Sequence, residues 1–270
     1  MSAVRGGRVT LSHFVKRRDI WLPPLLAAVA LVTLWDLAVR LGDIRPYLVP
    51  SPSVVAATLW SERSVLGTGF WLTSQAAICG LLGGTFLGTI IGVVFAQSIA
   101  VRRAFYPYAI FLQTVPIVAI APLLVLWLGQ GIQSVIAVAF VLSLFPIVTN
   151  VTVGMTSIPS SLLDLFTMYG ANRWQRFYKL QFPFALAHLV TGVRISSGMA
   201  VIGAIVGEFF VGYGGRGRGL GYLIREAVEM NRTDRLFAVV ILSTLLGVCL
   251  FVLTGLFSDK LLSRWTMRHL

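Results

Sequence analysis

Six runs of apolar residues, each long enough to cross a bilayer, constrain this chain more than any other feature. They cover about 21–41, 71–97, 104–128, 133–156, 184–212 and 236–258. A spanning helix needs about 20 apolar residues. The bilayer interior offers no partner to a backbone N–H or C=O, so such runs must be helical. The expected fold class is therefore all-α and integral to the membrane, with one six-helix domain over 21–258, a basic N-terminus over 1–20 and a short tail over 259–270. Composition agrees: 12% of the residues are charged, where a soluble domain carries about a quarter. The positive flank before residue 21 resembles that of a signal peptide. However, 21–41 is long enough to span and no clear small-residue cleavage site follows it, so the first helix is expected to stay.

Net charge of +12 would point to nucleic acid in a soluble protein. Here the positive-inside rule gives a simpler cause, and no nucleic-acid partner is expected. With the N-terminus inside, thirteen Lys and Arg fall on the cytoplasmic side against eight outside. Both termini and the segment 157–183 are thus predicted to be cytoplasmic. Five of the eight outer arginines crowd into 213–235, alongside Glu226, Glu229 and Asp234. Cys79 and Cys249 lie in apolar runs and form no metal or disulfide pattern.

Residues 160–183 form the longest polar and basic interval between apolar spans in the C-terminal half. Leu162, Leu165, Phe166 and Tyr169 recur at helical spacing. Gly170 is placed to end that helix in the left-handed conformation. Asn172 with Gln175 has the spacing of a capping box opening a second helix, and Pro183 starts the next apolar run. Such a segment is a folded device rather than a slack loop. Its alternative is an interfacial helix whose Arg173, Arg176 and Lys179 rest on anionic membrane lipid.

Within the spans, Gly80, Gly84, Gly88 and Gly92 leave one helix face flat and predict a close helix–helix seam. Pro107, Pro116 and Pro122 predict a broken third span. With Gln113 beside Pro116, that span is a candidate wall of a translocation pathway. Asp36 and Arg40, four residues apart, are expected to pair. Arg194 and Glu208 share one helix face about 21 Å apart and cannot pair with each other. Arg194 could meet an anionic substrate or bond to a neighbouring backbone; Glu208 falls near the outer end. The run Gly212–Gly221 lacks the strand of a dinucleotide loop and the lysine of a Walker loop, and is expected to be a flexible or re-entrant outer loop. No catalytic constellation is present in the sequence.

The segment 160–183 resembles the coupling loop of the permease subunits of bacterial ATP-binding-cassette importers. That motif is Glu-Ala-Ala, then a glycine, an isoleucine and a Leu-Pro at fixed spacing. Asp164-Leu165-Phe166, Gly170, Leu180 and Pro183 occupy its positions, with the triplet altered and Leu-Pro replaced by Phe182-Pro183. The segments 49–55, 112–131, 191–198 and 219–224 are similar to the nitrate, sulfonate, taurine and pyrimidine-precursor permeases. The resemblance implies a six-helix, type I importer domain in the inner membrane, working as a pair with an identical or different permease. It implies a coupling helix inserted into a separate ATPase subunit that binds ATP and Mg, and no cofactor on this chain. It also implies a periplasmic or lipid-anchored binding protein that delivers the solute. A self-sufficient secondary transporter is the competing expectation, weakened by the lack of an inverted repeat.

Overall fold

The computed structural model describes residues 17–211 and 218–266, with side chains over 22–211 and 218–258. The basic residues 1–16, most of the glycine-rich run and the side chains of the C-terminal tail lie outside the described residues. Eleven α-helices and one π turn follow in order among the described residues. They are α1 (Arg17–Leu41), α2 (Pro52–Ser61), α3 (Arg63–Gln97), α4 (Ile99–Thr114), α5 (Ile117–Leu128) and α6 (Ile132–Thr156). Then come α7 (Ser160–Met168), α8 (Arg173–Arg176), the π turn Phe177–Gln181, α9 (Phe182–Phe210), α10 (Leu220–Glu229) and α11 (Thr233–Thr266). Leu22–Leu41, Arg63–Gln97, Ile132–Thr156, Arg173–Phe210 and Thr233–Ser258 are each long and apolar enough to cross a membrane.

The third expected span departs from a single helix. α4 and α5 meet at 96°, and at 16 and 12 residues neither crosses a bilayer alone. The cause is local. Pro116 excludes its predecessor from helical backbone, and Val115 (φ −68°, ψ 126°) and Pro116 (φ −59°, ψ 122°) are both extended. Pro107 and Pro122 stay inside helices. The second span also differs from its expected start at 71, because α3 begins at Arg63 directly after α2. The sixth runs past 258 to Thr266.

α6 is the centre of the bundle, with α3 on one side and α9 on the other. The four glycines expected to form a seam do so against α6. A methyl on Gly80 would meet Ala139, on Gly84 Ser143, on Gly88 Ile147 at 3.0 Å and on Gly92 Val151 at 2.7 Å. Both rows advance by four residues, so two helix faces lie in register over three turns. α9 approaches α6 the same way: Gly203 faces the Ala139 backbone and Gly207 the Val135 backbone. Ser143 ties the three helices together, donating to the Gly80 carbonyl (3.2 Å) while its own carbonyl accepts from Ser196 (2.7 Å). Between hydrocarbon-like surfaces there is little hydrophobic drive, so close packing and such bonds carry helix association. α1 stands apart from this core and touches it through Trp35, whose ring stacks on Phe237 of α11. Its Asp36 and Arg40 pair at 2.8 Å as expected.

Candidate functional site

At one end of the bundle, α7 and α8 connect α6 to α9, and the π turn after α8 packs on both. Two stop-and-start devices abut with no residue between them. α7 ends in a Schellman turn: the Gly170 N–H donates to the Thr167 carbonyl (3.0 Å) and the Ala171 N–H to the Phe166 carbonyl (2.9 Å). Gly170 takes φ +64°. The next residue opens α8 through the expected capping box, with Gln175 N–H donating to Asn172 Oδ1 (2.8 Å) and Asn172 N–H to Gln175 Oε1 (2.9 Å). The angle between the two helices is therefore set by local backbone bonds, and needs no support from the bundle.

α8 does not end in a break at Pro183. It runs through the π turn into α9, so Arg173–Phe210 is one helical run of 38 residues. Proline explains the π turn. Pro183 donates no bond to the Lys179 carbonyl and its ring would clash there, and widening Phe177–Gln181 to π geometry relieves both problems. Leu180 is buried, and Phe177 packs on Ile147, Val151, Met155 and Ala185. Gln181 accepts from Gln97 at the end of α3 (2.7 Å). The loop is thus rooted on three helices.

Large apolar side chains stand exposed on the loop, among the exposed Asp164, Arg173 and Lys179. Met168 is 85% exposed, Tyr169 82% and Trp174 70%, with Leu165 and Tyr178 also exposed. Trp174 stacks on Tyr178 with ring centres 6.0 Å apart. Leu165, Phe166, Tyr169, Ala171, Gln175 and Lys179 line a cleft of about 290 Å³ between α7 and α8. Asp164 is exposed beside it. The expected coupling residues therefore divide. Asp164, Leu165 and Phe166 lie on α7, Gly170 forms the turn, and Leu180 and Pro183 sit in the root.

The opposite end holds two features that the sequence did not announce. The first is α10, an amphipathic helix in what was expected to be outer loop, with Leu220, Leu223 and Ala227 buried at helical spacing. Its N-terminus sits on Glu208, which is only 7% exposed. The Gly221 N–H donates to Glu208 Oε2 (2.8 Å) and Thr73 Oγ1 lies 2.9 Å from both carboxylate oxygens. The Leu220 N–H in turn donates to Thr73 Oγ1 (2.9 Å). A side chain at Gly219 would collide with the Glu208 carboxylate, and one at Gly221 with the Ile205 carbonyl. Within the described part of the glycine-rich run, Gly219–Gly221 is thus pinned rather than flexible.

The second feature involves two of the arginines crowded into 213–235; Arg216 lies outside the described residues. Arg232 bridges Glu62 (2.6 Å) and Asp234 (2.7 Å), and Arg235 bridges Glu62 (2.9 Å) and Glu226 (2.9 Å). Thr58 of α2 donates to Asp234 (2.9 Å). Hydrogen bonds to Asp234 and Glu62 hold the Arg232 guanidinium above its ordinary value. This ladder locks α2, α10 and α11 together. Its members are scattered over 176 residues of sequence, and the only sequence signal was the mixture of acids and arginines.

Of the expected pathway residues, Gln113 and Pro116 lie exposed at the α4–α5 bend. Arg194 rests its guanidinium 4.3 Å over the Phe251 ring of α11, beside Gly255. Glu208 lies far from Arg194 and does not pair with it, as expected.

Residues 84–263 match the family of binding-protein-dependent transport system inner membrane components. The chain belongs to that family. It is 35% identical over 235 residues to the formylaminopyrimidine transport permease protein of Halalkalibacterium halodurans, covering 87% of this chain and 92% of that one. The riboflavin transport system permease protein of Chloroflexus aurantiacus is also 35% identical, over 87% of each chain. A putative aliphatic sulfonates transport permease protein of Bacillus subtilis is 27% identical over 93% of this chain and 90% of its own. In fold, an inward-facing methionine ABC transporter matches with TM-score 0.62 at 21% identity, over 76% of this chain and 97% of that one. The chain is thus a multi-pass permease subunit of an ATP-binding-cassette importer in the inner membrane. It works with ATPase and binding-protein partners, and ATP hydrolysis belongs to the former.

Proposed function

We propose that this permease carries a small heterocyclic solute, driven through the α7–α8 loop. What carries the reading of the loop is its build. An apolar face of Leu165, Met168, Tyr169 and Trp174 is held at a fixed angle on a helix continuous with α9. A surface of this kind is costly to leave in water and suits insertion into a groove on a separate ATPase subunit, which binds the ATP and Mg. Asp164, Leu165 and Phe166 contact that subunit, Gly170 sets their angle, and Leu180 and Pro183 pass the movement to α9. With the loop on the cytoplasmic side, both termini are cytoplasmic. α10 and the arginine ladder then face the binding protein outside. A second permease, most simply a copy of this chain, completes the pathway, and Gln113, Pro116, Arg194 and Glu208 are the residues assigned to it.

The solute class rests on the two 35% relatives, whose names give a formylaminopyrimidine and riboflavin, against 27% for the sulfonate permease. The test is reconstitution of the permease with its own ATPase and binding protein in vesicles, followed by uptake of labelled formylaminopyrimidine and of an alkyl sulfonate. ATP-dependent uptake of the heterocycle alone is expected. Uptake of the sulfonate alone overturns the solute class, and uptake independent of ATP overturns the coupling.

A further inference from the structure

Charges at the two ends of the molecule are met differently. At the end bearing α10, Glu62, Glu226, Glu229 and Asp234 each pair with an arginine of the same chain. The α7–α8 loop sets Arg173, Arg176 and Lys179 against the single acid Asp164. No ion pair joins any of these four to another described residue. Exposed cations ordinarily rest in water, so this excess of positive charge by itself names no partner. The position of Lys179 narrows the choice.

Lys179 and Gln175 line the cleft between α7 and α8, whose apolar lining includes Leu165, Phe166 and Ala171. The capping box fixes the Gln175 amide. Its Oε1 accepts from the Asn172 N–H (2.9 Å), so Nε2 is the polar atom that Gln175 has left to offer. An ammonium brings three donors and no acceptor. Neither Gln175 Nε2 nor Lys179 Nζ has a hydrogen-bond acceptor among the described residues. No carboxylate lines the cleft; Asp164 is exposed beside it without forming a wall. The volume of about 290 Å³ lies at the lower limit of small-molecule pockets, which run from about 300 to 1,000 Å³. It suits one side chain. Such an occupant needs an apolar stem to lie on Leu165, Phe166 and Ala171, and acceptor oxygens at its tip for Lys179 and Gln175.

We propose that this cleft receives an acidic side chain, a glutamate or an aspartate, of the ATPase subunit, with its carboxylate on Lys179 Nζ and Gln175 Nε2. The loop then does more than enter a groove on its partner: it takes a side chain of that partner between its own two helices. The proposal rests on the coupling reading above and adds the chemistry of the partner's surface at this point. Local bonds at Gly170 and Asn172 set the angle between the cleft's walls, so the acid must arrive in one register. A partner with a cation there is repelled by Lys179, and one with no side chain to insert leaves two donors unmet. The cleft therefore discriminates among ATPase subunits as well as holding one.

Lysine usage makes the test selective. The lysines of this chain are Lys16, Lys179 and Lys260, so Lys179 alone lies in the loop. The assembled complex of permease and ATPase subunit in detergent is treated with a water-soluble carbodiimide, which joins an amine to a carboxylate in contact with it as an amide. Mass spectrometry then locates the joined residues. An amide between Lys179 and one Glu or Asp of the ATPase subunit is expected. It should vanish in K179R, which keeps the charge and should bind the ATPase subunit within about twofold of wild type. K179E, which repels the carboxylate, and A171W, which fills its place, are each expected to bind about tenfold more weakly. No amide at Lys179, or one only to Asp164 of the same chain, overturns the proposal. Wild-type affinity in K179E or in A171W does the same. An effect of K179E that disappears in detergent free of anionic phospholipid assigns the cleft to a lipid headgroup and also overturns it. M168E, on an exposed apolar position of the loop, separates this from the coupling reading. Weaker binding in M168E alone leaves the loop at the interface and overturns only the cleft's occupant, whereas wild-type affinity in all three variants removes the loop from the interface altogether.

Discussion

Gly170 offers the sharpest prediction. Its φ of +64° is one that L-residues adopt at a cost, yet a methyl added there would meet no atom within 4 Å. The penalty for substitution is therefore one of backbone conformation and not of space. For alanine it is about 1–2 kcal/mol, reduced by several tenths because alanine also restricts the unfolded chain. Asparagine tolerates the left-handed region and costs less, while valine, β-branched, costs more. If the cost is met by loosening the Schellman turn, the docking face leaves its fixed angle. A loss of about 1 kcal/mol then weakens ATPase binding by about fivefold. We predict the order G170N, G170A, G170V for falling affinity, measured by titrating the purified ATPase subunit against the permease in detergent, with membrane insertion unchanged. Equal losses in all three would refute the reasoning, because they would make the Cβ that all three share the determinant, with the partner's surface against that position. Wild-type affinity in G170V would refute the role of the turn itself.

The seam makes a second prediction: G84A, whose methyl would collide with Ser143, should destabilise by about 1–3 kcal/mol. G198A, with open space around it, should leave the melting temperature unchanged or slightly raised. At the arginine ladder, R235A takes the 2.9 Å partner from the buried Glu226, while Glu62 keeps Arg232, and should cost about 3 kcal/mol in thermal unfolding. R40A, at an exposed pair, should cost below about 0.5 kcal/mol. P183A restores the donor that Lys179 lacks, so it should stabilise the helix while lowering solute uptake per ATP hydrolysed, by letting the π turn relax and turning the loop relative to α9. Uptake per ATP equal to wild type in P183A would show that the π turn has no part in coupling.

What the sequence by itself determined are the features closed within a few residues. The apolar runs set the spans because an unpaired backbone is too costly in lipid. Gly170 and the Asn172–Gln175 pair set the loop's turn because their bonds reach at most five residues along the chain. The glycine row at 80–92 announced a flat face through its period alone. Only the tertiary structure decided what each face meets. Nothing in the row says that Ala139, Ser143, Ile147 and Val151 lie opposite it rather than a second subunit. The 96° turn at Pro116 needed the backbone angles of two successive extended residues, where the sequence gives only the prolines. Glu208 was visible as an expensive charge in a span. Its partner Thr73 lies 135 residues away, and its other partner is a backbone N–H that carries no residue identity at all. Such contacts depend on the order in which helices pack, and a pattern read along one chain carries no record of that order.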